Sequence, residues 1–346
     1  MSDMRVQGRD GAAETPGKAR IAGVFAVLAA VLAVAFFASL ALGRYDFSFD
    51  ELASLFSGSA DPTTLNVLFH LRLPRVLAAA CVGAMLAIAG CSYQGLFRNP
   101  MVSPDLLGAS AGAGFGAALG LLLSLGGLGV QLCAFGCGCL AVFSAYFLSQ
   151  RVSRGMNAVL VLLLCGIVVQ QLFTAFTSAV KFVADPNSQL PEITFWLMGG
   201  LSNAYEDDLP WLIVPLLAGG GALFALRWRL NVMALGDEEA LSLGVDAKRT
   251  RLLVVLAATL VTSAAVSIAG MVGWVGLIIP HLARFLVGPD HRVLMPASLL
   301  LGASFLLVVD DVCRSIYTTE IPLSILTAVI GAPLFVYLIY RQRRQG

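Results

Sequence analysis

Long apolar stretches separated by short polar ones set the pattern of this chain. Ten such runs recur, at residues 21–42, 76–93, 106–125, 128–149, 156–178, 209–228, 252–271, 274–287, 293–309 and 323–340. A helix needs ~20 apolar residues to cross a bilayer, and most of these runs reach that length. None shows the strict alternation of a half-buried strand. The eighth run is short and contains Pro280, which withholds one backbone N–H and is expected to kink its helix. The third is rich in glycine, and Gly108, Gly112, Gly116 and Gly120 fall every four residues. That period keeps small residues on one helical stripe, where a neighbouring backbone can come close. The pattern predicts an all-α polytopic membrane protein with about ten transmembrane helices in a single domain over 21–341.

Composition narrows the class further. The 346 residues include 22 Lys and Arg and 21 Asp and Glu, 12% of the chain, against a hydrophobic share of 58%. Soluble proteins carry ~25% charged residues, so there are too few charges here to cover a water-soluble globule. Disorder and a secreted disulfide scaffold are excluded by the same figures. Residues 1–20 are polar and read as a cytoplasmic tail, and 342–346 as a second. The run at 21–42 is too long for a signal-peptide core and reads as an uncleaved first helix. With ten spans, both termini lie on one side, and 17 of the 22 Lys and Arg then fall on that side. The excess of positive charge marks it as cytoplasmic. Arg44, Arg72, Arg75, Lys181 and Arg314 remain outside.

Chemistry within the spans is sparse. The middles of the runs carry no Asp, Glu, Lys or Arg, whereas intramembrane enzymes and proton-coupled carriers normally place ionisable groups at membrane depth. His70, His281 and His291 form no metal-binding spacing. Cys133, Cys137 and Cys139 sit in an apolar run without a nearby His or carboxylate, so they read as packing residues. No metal site, cofactor site or catalytic residue is expected. The densest polar set lies in the fifth run, where Gln170, Thr174, Thr177 and Ser178 follow 3–4 spacing and share roughly one face. Two readings stay open: a neutral lining that passes a large cargo, or hydrogen bonds between helices.

There is no GxxxxGK(S/T) phosphate cradle. Active transport by this chain therefore needs energy from another polypeptide. The longest cytoplasmic loop, 229–251, is the place for that contact. In it Gly236, Asp237, Glu238, Glu239, Ala240, Leu241, Leu243 and Gly244 predict a compact knob of two short helices around a glycine. A solvated loop with an interfacial helix is the other reading.

Four blocks then carry a resemblance. The stretch RLPRVLAAACVGAMLAIAGCSYQGLFRNPMVSPDLLGASAGAGFGAALG at 72–120 resembles the FecCD-type permeases, membrane subunits of ATP-binding-cassette importers for iron–siderophore, haem and cobalamin. FWLMGGL at 195–201, ALGDEEALSLGVDAKRTR at 234–251 and the segment from GWVGLIIPHLARFLVGPDHR at 273 to arginine 341 match in the same order. The resemblance implies a type II importer permease fold in the inner membrane. It implies a second permease chain, giving a homodimer or heterodimer, two cytoplasmic ATPase subunits and a periplasmic substrate-binding protein; nucleic acid is not among the partners. It makes 234–251 the coupling segment and sets the fifth helix beside the central pathway. It also makes Arg72, Arg75 and Arg314 contacts for acidic residues of the binding protein, where complementary charge steers encounter; snorkelling to the headgroups is the alternative. The expected function is import of a metal chelate by alternating access, iron–siderophore or haem ahead of cobalamin. An ion-coupled carrier acting alone and a structural scaffold without transport are the rivals.

Overall fold

A computed structural model of the chain describes residues 17–42, 61–153, 157–317 and 319–343. Most of the first tail and residues 344–346 of the second lie outside the described residues. All ten apolar runs are helical. Seven helices are long and apolar enough to cross a membrane. They are α1 (Lys18–Ala41), α2 (Pro62–Leu96), α4 (Gly126–Val152), α5 (Ala158–Val183), α7 (Glu206–Met233), α9 (Ala247–Ala269) and α11 (His291–Ser315). Three apolar runs form shorter or end helices, α3 (Ala109–Leu122), α10 (Val275–Val287) and α12 (Leu323–Arg343). Two short helices, α6 (Gln189–Met198) and α8 (Asp237–Ser242), lie in the connections.

The helices start where the sequence supplies caps. Asn157 accepts from the N–H of Val159 at 3.0 Å, Asp246 from Arg249 at 3.0 Å and Asp290 from Arg292 at 2.9 Å. Each satisfies an amide that the first turn leaves without a partner. Outward faces of α1, α4 and α5 present Val34, Phe37, Phe147 and Val168, side chains that a bilayer accepts and water does not.

α2 is the hub. It is buried almost along its whole length from Val76 to Leu96 and packs on α11, α9 and α10. Glycines set the spacing. A Cβ on Gly83 would strike the backbone of Gly302 in α11, and one on Gly90 would strike Gly276 in α10. Such close approach maximises dispersion contact, which has to hold helices together where lipid is as apolar as leucine. Pro280 lies buried inside α10. It withholds the N–H that the Gly276 carbonyl would accept, and that carbonyl is the group lying against Gly90. The glycine stripe of α3 works likewise: Gly112 and Gly116 admit the backbone of α4 at Cys137 and Cys133, and Gly120 admits Val130. The joint therefore accounts for two of the three clustered cysteines as packing positions.

Candidate functional site

Gln170, Thr174, Thr177 and Ser178 line one cavity of about 370 Å³, together with Asp105, Ser110, Gly114, Lys181, Leu197 and Met271–Gly273. The 3–4 spacing read along the fifth run thus delivers one polar face to one space. Thr174 Oγ1 donates to the carbonyl of Gln170 at 2.9 Å, Thr177 to Phe173 at 2.9 Å and Ser178 to Thr174 at 3.1 Å. These bonds run within α5, so the set does not hold two helices together through its hydroxyls. A second cavity of about 320 Å³, between α4 and α7, has an apolar wall apart from Gln131 and Ser267.

Asp105 was not among the sequence-predicted site residues. After α2 the chain packs back against α5. Residues Pro104–Leu107 make one tight 3₁₀ turn, and Gly108, at φ +87°, reverses the chain into α3. Gly166 of α5 admits the backbone of Leu106 and Leu107, and Gly108 lies against the backbone of Gln170. Two missing side chains therefore bring the Asp105 carboxylate beside the α5 stripe, where it accepts from the Ser110 hydroxyl. The signal for this was present in the run Ser103-Pro104-Asp105 ahead of Gly108: a turn and helix-start cluster at the head of an apolar segment.

The opposite wall is a broken helix. α9 ends at Gly270, φ +67°, and irregular backbone leads to Trp274, φ +72°, before α10 begins. Gly199, φ +73°, packs on this break, and Gly200 N–H donates to the Ala269 carbonyl at 2.9 Å. Leu323 N–H donates to the Gly199 carbonyl at 3.0 Å. The FWLMGGL block of the sequence is thereby explained: its glycines close the backbone around Met271–Gly273, and its Leu197 lines the cavity.

Arg72, Arg75 and Arg314 lie together where the C-terminal ends of α1 and α11 meet the first half of α2. Each of these cations has a partner within the chain. Arg75 grips Asp310 at 2.8 and 2.9 Å and Glu320 at 2.9 and 3.0 Å. Arg314 bonds Asp311 and the Ser39 carbonyl, and the Ser39 hydroxyl donates to Asp311 at 2.6 Å. Arg72 donates to the carbonyls of Leu40 and Ala41 at 2.6 and 2.8 Å. Arg72 and Arg314 are buried, and the Arg75 side chain is 13% exposed. Bidentate guanidinium–carboxylate geometry of this kind is what arginine satisfies better than lysine. The group ties three helices into one corner. His70, further along the same edge, meets Glu206 at 3.0 Å.

At the opposite end, α7 runs into the predicted knob. Gly236 takes φ +136° and Gly244 φ +79°, so both glycines occupy backbone that side chains resist. Between them α8 buries Ala240, whose carbonyl accepts from Val245 N–H at 2.8 Å. Asp237 pairs with Arg251 at 3.0 Å. Glu238 and Glu239 face outward. Leu235, Leu241 and Leu243 are 62, 69 and 55% exposed. Three exposed leucines thus lie beside the acidic first turn of α8.

The profile of the FecCD transport family matches residues 31–341. The chain belongs to the FecCD transport family. Among FecCD relatives, the molybdate import system permease protein MolB of Haemophilus influenzae is 41% identical over 315 residues, covering 89% of this chain and 92% of that protein. The hemin transport system permease protein HmuU of Yersinia pestis is 35% identical, covering 93% and 96%. A solved metal-chelate type ABC transporter in an inward-facing conformation superposes with a TM-score of 0.85 at 38% identity, covering 92% of this chain and 99% of that one. The FecCD assignment agrees with the helical, multi-pass architecture and makes the chain a transport permease of the inner membrane.

Proposed function

We propose that this chain is the membrane-spanning subunit of an ATP-driven importer that moves a metal chelate into the cytoplasm, an iron–siderophore or haem complex ahead of cobalamin. The observation that carries the reading is the likeness to a metal-chelate type ABC transporter along 92% of the chain. The chain performs no covalent chemistry. It brings no phosphate cradle, so the patch around Leu241 and Leu243 receives force from a separate ATPase. Two copies facing each other, or one copy and a related permease, would set two α5 stripes around a shared pathway. The termini would lie in the cytoplasm. The arginine corner would act on the outer side as a stiff platform for a binding protein, its charges already balanced by Asp310, Asp311 and Glu320.

The alternating states would differ by rigid movement of helix groups, since the glycine joints of α2 leave little room for continuous deformation. A second reading, oxyanion import, is favoured by the 41% identity to the molybdate permease. The test of the importer reading is co-purification with a candidate ATPase subunit, followed by ATP turnover in proteoliposomes. Turnover that rises with cargo-loaded binding protein supports it. Turnover indifferent to cargo, or no stable ATPase complex, argues against it.

A further inference from the structure

The apolar cavity between α4 and α7 is built by the sequence of α7. Pro215, inside that helix, withholds the N–H that the Trp211 carbonyl would accept. The next turn, Leu216–Gly220, is wound wider, as a π-turn. Gly219 then brings α7 onto α9, where a Cβ would strike Val261 and the Ala257 carbonyl. One half of α7 is thereby held on α9 while the other stands off α4, leaving about 320 Å³ between them. The wall on α4 runs from Leu128 to Phe135, ~10 Å of helix at 1.5 Å rise per residue. Ser267 of α9 is buried in the wall, and its hydroxyl donates to the Ala264 carbonyl at 2.9 Å. Gln131 donates to Asp208 at 2.7 Å. Both polar side chains are engaged within the protein, so a water inside would find few of the partners it needs. The mouth opens on the outward face. Leu128, Leu132, Trp211 and Val214 are exposed there, on two helices long and apolar enough to cross a membrane, so hydrocarbon lies against it. Its polar end is marked too. Trp211 carries the amphipathic ring that favours the headgroup level, and Glu206, Asp207 and Asp208 lead into it.

We propose that this cavity holds one acyl chain of a phospholipid with an ammonium headgroup, drawn from the leaflet at the arginine-corner end. An apolar void with no occupant forfeits dispersion contacts along its whole lining, and a hydrocarbon chain restores them. At the mouth the carboxylates meet an ethanolamine ammonium with opposite charge and a phosphoglycerol headgroup with like charge. The chain fills the gap that Pro215 and Gly219 open and so ties α4 to α7. The site shares no residue with the α5 cavity, and it does not depend on which cargo is carried.

The experiment uses the full-length permease, purified in detergent, stripped of lipid and offered dioleoyl phosphatidylethanolamine or dioleoyl phosphatidylglycerol. Native mass spectra count the lipids that survive release from the micelle, and thermal unfolding reports their effect on stability. Phosphatidylethanolamine should stay bound to the parent and raise its unfolding midpoint by a few degrees. Phosphatidylglycerol should be retained severalfold less. Ser267→Leu puts a side chain at the back of the cavity, where the end of the acyl chain would lie. Retention should then fall about tenfold, the loss expected when roughly two methylenes are no longer buried, while the lipid-free midpoint stays at or above that of the parent. Leu132→Trp narrows the mouth, should lower retention likewise, and covers the case in which Ser267→Leu fails to assemble. A parent that retains no phosphatidylethanolamine, or assembled variants that retain as much as the parent, overturn the proposal. Equal retention of the two headgroups overturns it as well.

Discussion

Arg75 sits between two carboxylates, Asp310 and Glu320, that are 235 and 245 residues away in the chain. Removing one partner of a buried pair costs ~3–5 kcal/mol, because the other charge stays behind without compensation. We expect Arg75→Met to lower stability by roughly 3 kcal/mol or more, read as the thermal unfolding midpoint in detergent. Adding Asp310→Asn should recover part of that loss, and a single variant as stable as the parent would show that the corner carries no load. The same geometry changes how charge reversal at Arg72, Arg75 and Arg314 should be read: weakened binding-protein association would report a collapsed corner as readily as a lost contact. Gly244 offers a cleaner change. Its φ of +79° suits glycine, and a Cβ would meet nothing within 4 Å. Gly244→Val therefore adds backbone strain of about 1–3 kcal/mol without a clash. We expect the variant to insert, with stability lowered by no more than that strain, while losing ATPase association, and retained co-purification at parent levels would contradict this.

Elements were legible where their signal was local. Apolar length placed all ten runs in helices, and 3–4 spacing put four polar residues of α5 on one cavity. The glycine period of α3 and the glycine-centred loop at 229–251 likewise describe their own neighbourhoods. What the pattern could not give depended on partners distant in sequence. The carboxylates of the arginine corner were visible as a cluster at the end of α11, but not as the counter-charges of Arg75. Asp105 escaped because the turn before α3 has the same polarity as a surface loop. Its depth is set by Gly166 and Gly108, on two different segments. α8 yields a prediction at this scale. Leu241→Asp with Leu243→Asp replaces two exposed apolar side chains by charges. Neither leucine is buried in the chain, so folding and membrane insertion should be unaffected. Burying unpaired charge in a partner groove is costly, so co-purification of the ATPase should fall at least tenfold, a change of about 1.4 kcal/mol. Wild-type recovery of the ATPase would move the coupling contact elsewhere.

For the whole molecule, the features divide by depth. A tight arginine–carboxylate corner closes one end, a polar cavity opens along α5, and a knob with exposed leucines projects at the other end. The packed hub of α2 connects them, with Gly83 and Gly90 holding α11 and α10 at backbone contact. In the proposed importer such a body would transmit force applied at α8, because its joints leave no slack. No phosphate cradle occurs in the sequence, so in the proposed importer the energy would come from a separate ATPase. The most direct test of this account measures uptake of a labelled ferric chelate into proteoliposomes holding the permease, with and without its ATPase and binding protein. The account predicts accumulation that requires both partners and internal ATP, and that ignores imposed proton or sodium gradients. Uptake by the permease alone, driven by either gradient, would contradict it.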